Sequence, residues 1–313
     1  MSDTLYYDLK IPMDMRGALL AGISRLREKQ VASYTLAAEL LLLHVVGRDR
    51  AWLYAHPEEA IGSQELDTYL CLVDRRANGE PTQHLTGKQE FWSLEFEVTP
   101  DVLIPRPETE HVIEVALDRL ALRELRAGRP QKTVGEGFLI ADIGTGSGCL
   151  AIALAKELPA ATVYATDISL PALAVARRNA VRHGVANRIH FLESDLSRPL
   201  AAEDATKSAF DLVVSNPPYI PARDANTLAR EVRDHEPAIA LYGGEEGYEL
   251  YAGLITLAGR HLKPGGIFVA ELGHDSLPAV QPLLDGREWT AVGVSNDLAG
   301  IPRVIAAERR PQK

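Results

Sequence analysis

From residue 138 onward the chain alternates short apolar runs with segments of helical period, and few folds accept that order. The apolar runs fall at 138–143, 162–166, 189–192, 210–214 and 266–272, with helical segments at 149–157, 171–183 and 246–261 between them. Runs this short and this uniformly apolar suit strands buried on both faces of a parallel sheet. Successive β-α-β units joined by right-handed crossovers place such strands in one open sheet with helices on both sides. The closing runs, 289–295 and 303–307, have no long helix between them and are expected to pair antiparallel. The expected fold class is α/β, a doubly wound, mostly parallel sheet with an antiparallel last strand. Ligands of such sheets lie beyond the carboxyl ends of the strands, where strand order reverses.

The first part of the chain reads differently. Leu19, Ile23 and Leu26 recur at helical spacing, then Leu36, Leu40 and Leu43, ended by Gly47. A third segment, with Ser63 as its expected N-cap, carries Leu66, Leu70 and Val73 and ends near Gly79. Three short helices imply a small bundle, of a kind that positions a partner; His44, His56 and His84 are scattered and read as structural or surface residues. Residues 92–98 then alternate apolar with polar, as a half-buried strand does. Pro105-Arg106-Pro107 stiffens the chain before a helix with Pro107 in its first turn. The expected division is a helical substrate-recognition domain at 1–88, a β connector at 89–107 and a catalytic domain at 108–313, with 128–137 a loop.

Composition narrows the function classes. Thirty-three basic against forty-three acidic residues leave a net charge of −10, which argues against a protein that tracks nucleic acid through its phosphates. The only cysteines, Cys71 and Cys149, have no metal-ligand spacing, so neither a zinc ribbon nor a disulfide framework is expected, and no metal is implied. The N-terminus lacks the pattern of a signal peptide, and the longest apolar stretch, 36–46, is interrupted by Glu39 and His44. A cytoplasmic protein, without membrane contact and acting as a monomer, is expected.

Two motifs carry chemistry, both at strand ends. Asn216-Pro217-Pro218-Tyr219 follows the run at 210–214. An Asn side-chain carbonyl and the carbonyl of Pro217 can together accept two hydrogen bonds from one planar –NH2 group. The prolines remove backbone donors and restrict the dihedrals, holding those carbonyls outward. Tyr219 offers an aromatic face to cover a flat substrate or meet a sulfonium cation.

The second motif is Asp142-Ile143-Gly144-Thr145-Gly146-Ser147-Gly148, between a strand and a helix. Its glycines permit positive φ and close approach of a ligand to the backbone, although several nucleotide-binding families share the pattern. Asp142 adds negative charge, which suits a cationic amino-acid moiety better than a pyrophosphate. Asp167, at the end of the next strand, is placed to accept from ribose hydroxyls. Ser194-Asp195-Leu196 ends the third strand, where Asp195 can take an adenine amino group and Leu196 can cover the ring. S-adenosylmethionine fits these groups better than a dinucleotide.

Joined in one chain, these motifs resemble the release factor glutamine methyltransferases. The likeness covers nearly the whole length: Gly79-Glu-Pro81-Thr-Gln-His-Leu-Thr-Gly87, Glu90-Phe91-Trp92, Leu103-Ile-Pro-Arg-Pro-Glu-Thr-Glu110, the glycine loop, Asn216–Tyr219, Glu236-Pro237, Gly243-Gly244 with Gly247, and Asp297-Leu-Ala-Gly300. The resemblance implies a doubly wound S-adenosylmethionine-dependent methyltransferase sheet behind an N-terminal helical bundle. It implies methylation of the glutamine side-chain amide in the Gly-Gly-Gln motif of peptide-chain release factors. Carried over residue by residue, it places the cofactor on Asp142, Gly144, Thr145, Gly146, Ser147, Gly148, Asp167, Asp195, Leu196 and Asn216. Substrate falls on Asn216, Pro217, Pro218, Tyr219, Arg106 and Glu108, with Asn216, Pro217 and Tyr219 the catalytic set. Three departures stand out: Leu196 where the family often has an aromatic, a longer 128–137 linker, and Pro302 where an acidic residue is usual. Rival readings are the same chemistry on a ribosomal-protein glutamine, an adenine-amino DNA methyltransferase, and a non-catalytic cofactor-binding scaffold.

Overall fold

The computed structural model describes residues 13–128, 137–195, 210–284 and 286–311. The chain divides into two compact units, one running to Gly87 and including Arg230–His235, the other holding Lys88–Ala229 and Glu236–Lys313.

Among the described residues the first unit has five helices before Gly87 where the sequence pattern implied three: α1 (Met15–Glu28), α2 (Tyr34–Val46), α3 (Arg50–Ala55), α4 (Ser63–Ala77) and α5 (Thr82–Thr86). Asp14 caps α1 by accepting from the Gly17 N–H at 2.7 Å. Gly22 lets the Tyr69 ring of α4 lie against α1, since a Cβ there would overlap the ring. The cap of α4 is Gly62 rather than Ser63, with the Glu65 carboxylate accepting from the Gly62 N–H at 3.1 Å. On α2 the core face is Ala37, Ala38, Leu41 and Leu42, while Leu36 and Leu40 are 46% and 41% exposed. That helix is apolar nearly all round, so spacing alone does not select its buried face; its alanines do, because small side chains let neighbouring helices approach.

The second unit opens on a hairpin, β1 (Lys88–Phe91) and β2 (Leu94–Glu97), turning at Trp92 and Ser93 with φ of +53° and +56°. The single strand expected at 92–98 is thus shortened to its second half. A two-residue turn with both φ positive usually takes Asn-Gly. Here tertiary bonds hold it: the Trp92 N–H donates to Glu110 at 2.7 Å and its indole N–H to Glu157 at 2.8 Å. One 3₁₀ turn, Pro107–Thr109, leads into α6 (Glu110–Arg126). There follow β3 (Leu139–Ile143), α7 (Cys149–Glu157), β4 (Thr162–Asp167), α8 (Leu170–Arg182), β5 (Ile189–Glu193), β6 (Phe210–Ser215) and β7 (Ile220–Pro221). After α9 (Arg230–Arg233), which belongs with the first unit, come β8 (Tyr242–Gly244), α10 (Glu249–His261), β9 (Leu262–Glu271), α11 (Leu277–Val280), β10 (Trp289–Asn296) and β11 (Pro302–Arg309).

Among the described residues the main sheet has seven strands in the order β10-β11-β9-β6-β3-β4-β5. Five neighbours, β9 to β5, run parallel, and β11 is antiparallel to both β9 and β10, as expected of a closing hairpin. Successive strand residues face opposite layers. Ile140, Leu212, Val214, Ile267 and Val269 pack beneath α6 and α7, whereas Ala141, Val213, Phe268 and Ala270 pack beneath α10. Because both layers are dry, the strands read as continuous apolar runs. Strand order reverses between β3 and β6, which places the switch point between the two chemistry-bearing motifs. Among the described residues no helix is long and apolar enough to cross a membrane.

Candidate active site

A cavity of about 480 Å³ opens at that switch point. Its walls include Gly144–Ser147 after β3, Asp167 at the end of β4, Ser194 and Asp195 after β5, and Asn216, Pro217 and Pro218 after β6. Arg106 also lines it. Glu108 is exposed outside it, and Leu196 lies outside the described residues. The pattern reading missed Asp101–Leu103 from the connector, Ile239 and Ala240, and Leu250 and Leu254 of α10.

The glycines divide by purpose. Gly144 and Gly146 have φ of +73° and +53°, and a Cβ on either would meet nothing within 4 Å, so the backbone stands open to a ligand. Gly148, expected to hold cofactor, does not line the cavity; it caps α7 at φ +84°, and a Cβ there would press Ala176 and Ile152 at 3.1 Å. The Asp167 carboxylate accepts from the Gly146 and Ser169 N–H groups, each at 2.9 Å, which pins the loop to β4. Burial nevertheless raises its pKa, against those two bonds. Asp142 also sits below the loop rather than on the wall. Its Oδ2 accepts from Thr145 Oγ1 at 2.6 Å and from the Ala151 N–H at 3.1 Å, while Oδ1 is buried with no partner. Burial raises that carboxyl to about 7. An orphaned carboxylate oxygen under an open glycine loop, beside a second carboxylate on the wall, fits a ligand that brings a cation and hydroxyl groups together.

Two residues brace this wall: Asn179, which no sequence motif marks, and Glu236 of the Glu236-Pro237 pair. Asn179 of α8, fully buried, donates to the carbonyls of Ser147 at 2.9 Å and Glu97 at 3.0 Å and accepts from the Glu97 N–H at 2.7 Å. Glu236 accepts from the Ile104 N–H at 3.1 Å and from Arg106 at 2.5 Å, holding the Pro105-Arg106-Pro107 segment against the cavity.

The Asn216–Tyr219 loop is fixed from below. Ser215 Oγ donates to the Ile143 carbonyl at 2.7 Å. Asn216 Nδ2 donates to Thr109 Oγ1 at 3.0 Å, and Thr109 Oγ1 donates to Glu271 Oε2 at 2.6 Å. Tyr219, expected to show its ring to a ligand, does not line the cavity. Its hydroxyl donates to Glu271 Oε1 at 3.1 Å, and its ring lies where a Cβ on Gly273 would come within 2.9 Å. Glycines also admit the loop backbone on the other side: side chains at Gly243 and Gly247 would collide with the Pro218 and Tyr219 carbonyls. Burial raises the Glu271 carboxyl to about 7, and burial followed by the Glu271 charge raises the Tyr219 hydroxyl.

An open glycine loop facing an Asn-Pro-Pro-Tyr loop across the switch point of this sheet defines a methyltransferase of the S-adenosylmethionine-dependent class. The Methyltransferase small domain family matches residues 131–234. The hMettl16 catalytic domain, solved in complex with MAT2A 3′UTR hairpin 6, shares the fold at a TM-score of 0.53 and 16% identity, over 77% of this chain and 84% of its own. The PrmC N-terminal domain family matches residues 17–87. Release factor glutamine methyltransferases of Koribacter versatilis and Chlorobaculum tepidum are 41% and 43% identical, over 95% and 89% of this chain and 99% and 92% of theirs. The chain belongs to the release factor glutamine methyltransferases.

Proposed function

We propose that this protein transfers a methyl group from S-adenosylmethionine to the side-chain amide nitrogen of the glutamine in the Gly-Gly-Gln motif of peptide-chain release factors, in the cytoplasm. The observation that carries the reading is the Asn216 amide on the cavity wall, with Nδ2 engaged by Thr109 and Oδ1 left to accept from an incoming –NH2. The bound cofactor supplies an electrophilic methyl on a sulfonium; everything else is done by this chain. Gly144 and Gly146 admit the ligand to the backbone, Asp167 accepts from ribose hydroxyls and Asp195 from the adenine amino group. Asn216 Oδ1 and the Pro217 carbonyl hold the glutamine –NH2 and aim its nitrogen.

A carboxamide nitrogen is a weak nucleophile because its lone pair is delocalised into the carbonyl. Gripping both N–H bonds from one side favours pyramidalisation towards the opposite face. The work is therefore orientation and preorganised electrostatics. The extra proton becomes acidic only after the N–C bond forms, so no general base is required beforehand. Among the described residues, none of the helical unit up to Gly87 lines the cavity, and that unit serves to hold the release factor. Undiminished release-factor binding by a chain beginning at Lys88 would remove that role.

The test is labelled cofactor with a purified release factor, its Gln→Ala form, a ribosomal protein and duplex DNA. Label should enter the intact release factor alone. Asn216→Ala should keep cofactor affinity and lose turnover by about 100-fold or more. Label in DNA or the ribosomal protein instead would replace the substrate, and near-wild-type turnover of Asn216→Ala would remove the reading.

A further inference from the structure

We infer that Thr109 and Glu271 are positioning residues that decide which end of the Asn216 amide faces the substrate. The inference rests on the amide-methylating reading above and adds to it the reason why Asn216 presents a carbonyl. An Asn side chain is nearly symmetric in shape, so nothing about its fit into the loop distinguishes oxygen from nitrogen. Its direction must come from its partners.

The direction is set from the bottom of the site. Glu271 is 1% exposed at the last position of β9, and its two carboxylate oxygens each receive one hydroxyl, from Thr109 and Tyr219. Above about pH 7, where this buried carboxyl is ionised, it has no proton to give. The single Thr109 hydroxyl proton therefore goes to Glu271, and the Thr109 oxygen becomes an acceptor. The end of Asn216 that lies 3.0 Å from that oxygen must be the –NH2. The carbonyl is then the end left for the cavity, where it meets the donors of a substrate amide. With the amide reversed, two –NH2 groups would face each other and the grip on the nitrogen would fail. Thr109 borders the cavity but is 2% exposed, and its hydroxyl is held by Glu271 on one side and Asn216 on the other. Other groups around Glu271 leave this order intact: Tyr251 donates to its backbone carbonyl at 2.8 Å, and Arg303 and Glu108 act on it through their charge.

The test compares Thr109→Val, which keeps the shape and removes the hydroxyl, with Thr109→Ser, which restores it, in the full chain with release factor and S-adenosylmethionine. The valine variant should lose kcat by about tenfold to 100-fold while the KM for release factor and the cofactor affinity by calorimetry stay at wild-type values. The serine variant should return to within about threefold of wild type. If the valine variant does not fold, Thr109→Ala carries the same expectation. Wild-type kcat in the hydroxyl-free variant, or a serine variant as poor as the valine one, would overturn the inference. Asn216→Ala run in parallel separates the two failures. If it is inactive while Thr109→Val is fully active, only the positioning role falls; if it is active, the amide-binding reading falls with it.

Discussion

Glu271→Gln should separate what this buried carboxylate does for the site from what it costs the fold. Burial lifts its carboxyl from 4.5 to about 7, although Thr109, Tyr219 and the charge of Arg303 pull the other way and Glu108 pushes further up. The folded protein thus holds the proton more tightly than the unfolded chain does. Stability is therefore present at low pH and falls as pH rises from about 4.5 through about 7. At about 1.4 kcal/mol for each pH unit in that window, ionising Glu271 costs on the order of 3 kcal/mol. Glutamine does not titrate and escapes that loss. Urea unfolding at about pH 5 and about pH 8.5 is the assay, and the wild type should lose on the order of 3 kcal/mol more than the variant between the two. Asp142, lifted to about 7 by its own burial, titrates in both proteins and cancels. Equal pH dependence in the two proteins would refute the reasoning, because Glu271 would then titrate like an exposed acid. A site that keeps such a charge at working pH trades stability for an oriented acceptor.

Asp167→Ala should weaken S-adenosylmethionine by about 1.5–3 kcal/mol, the range for hydrogen bonds to a charged group. The loss should exceed that of Asp195→Ala, because Asp167 also pins the Gly146 and Ser169 amides whereas Asp195 is exposed. Unchanged affinity by calorimetry would displace the cofactor site. Gly243→Ala should destabilise the protein by about 1–3 kcal/mol and lower turnover, since its Cβ would drive into the Pro218 carbonyl on one side and Gly247 on the other. Gly286→Ala, with open space around it, is the control and should stay within about 0.5 kcal/mol. Chemical denaturation with a parallel turnover assay reads both, and a Gly243→Ala protein as stable as the control would mean the loop yields freely.

Where the sequence spoke clearly, it spoke through local patterns. The α7 helix begins and ends at the residues its pattern implied, Cys149 and Glu157, because the glycine loop and a buried apolar helix are both encoded within a few positions. Glu271 carries a comparable local signal: it is a lone carboxylate closing an apolar strand, and Asp142 stands one residue before the end of another. Thr109 sits inside Pro105-Arg-Pro-Glu-Thr-Glu110 with no charge to mark it, whereas the charged Glu108 is exposed and does not line the cavity and Arg106 is committed in part to Glu236. Leu36 and Leu40 misled in the opposite sense. Their spacing was helical, but on a helix apolar all round spacing names no face, and Ala37 and Ala38 took the core.

The sequence by itself determined the alternating sheet, the open glycine loop, the Asn-Pro-Pro-Tyr loop and their places at strand ends. Each of these is a property of neighbouring residues: a period, a positive φ, a missing N–H. Only the tertiary structure decided which side chains meet. Thr109 and Glu271 stand 162 positions apart, and Asn216 and Thr109 stand 107 apart. They touch because β9 lies beside β6 with Ala270 opposite Ser215, and because Trp92 and Glu236 tie the connector and the head of α6 to the same end of the sheet. Strand order and register depend on packing over the whole chain, and no local period encodes them.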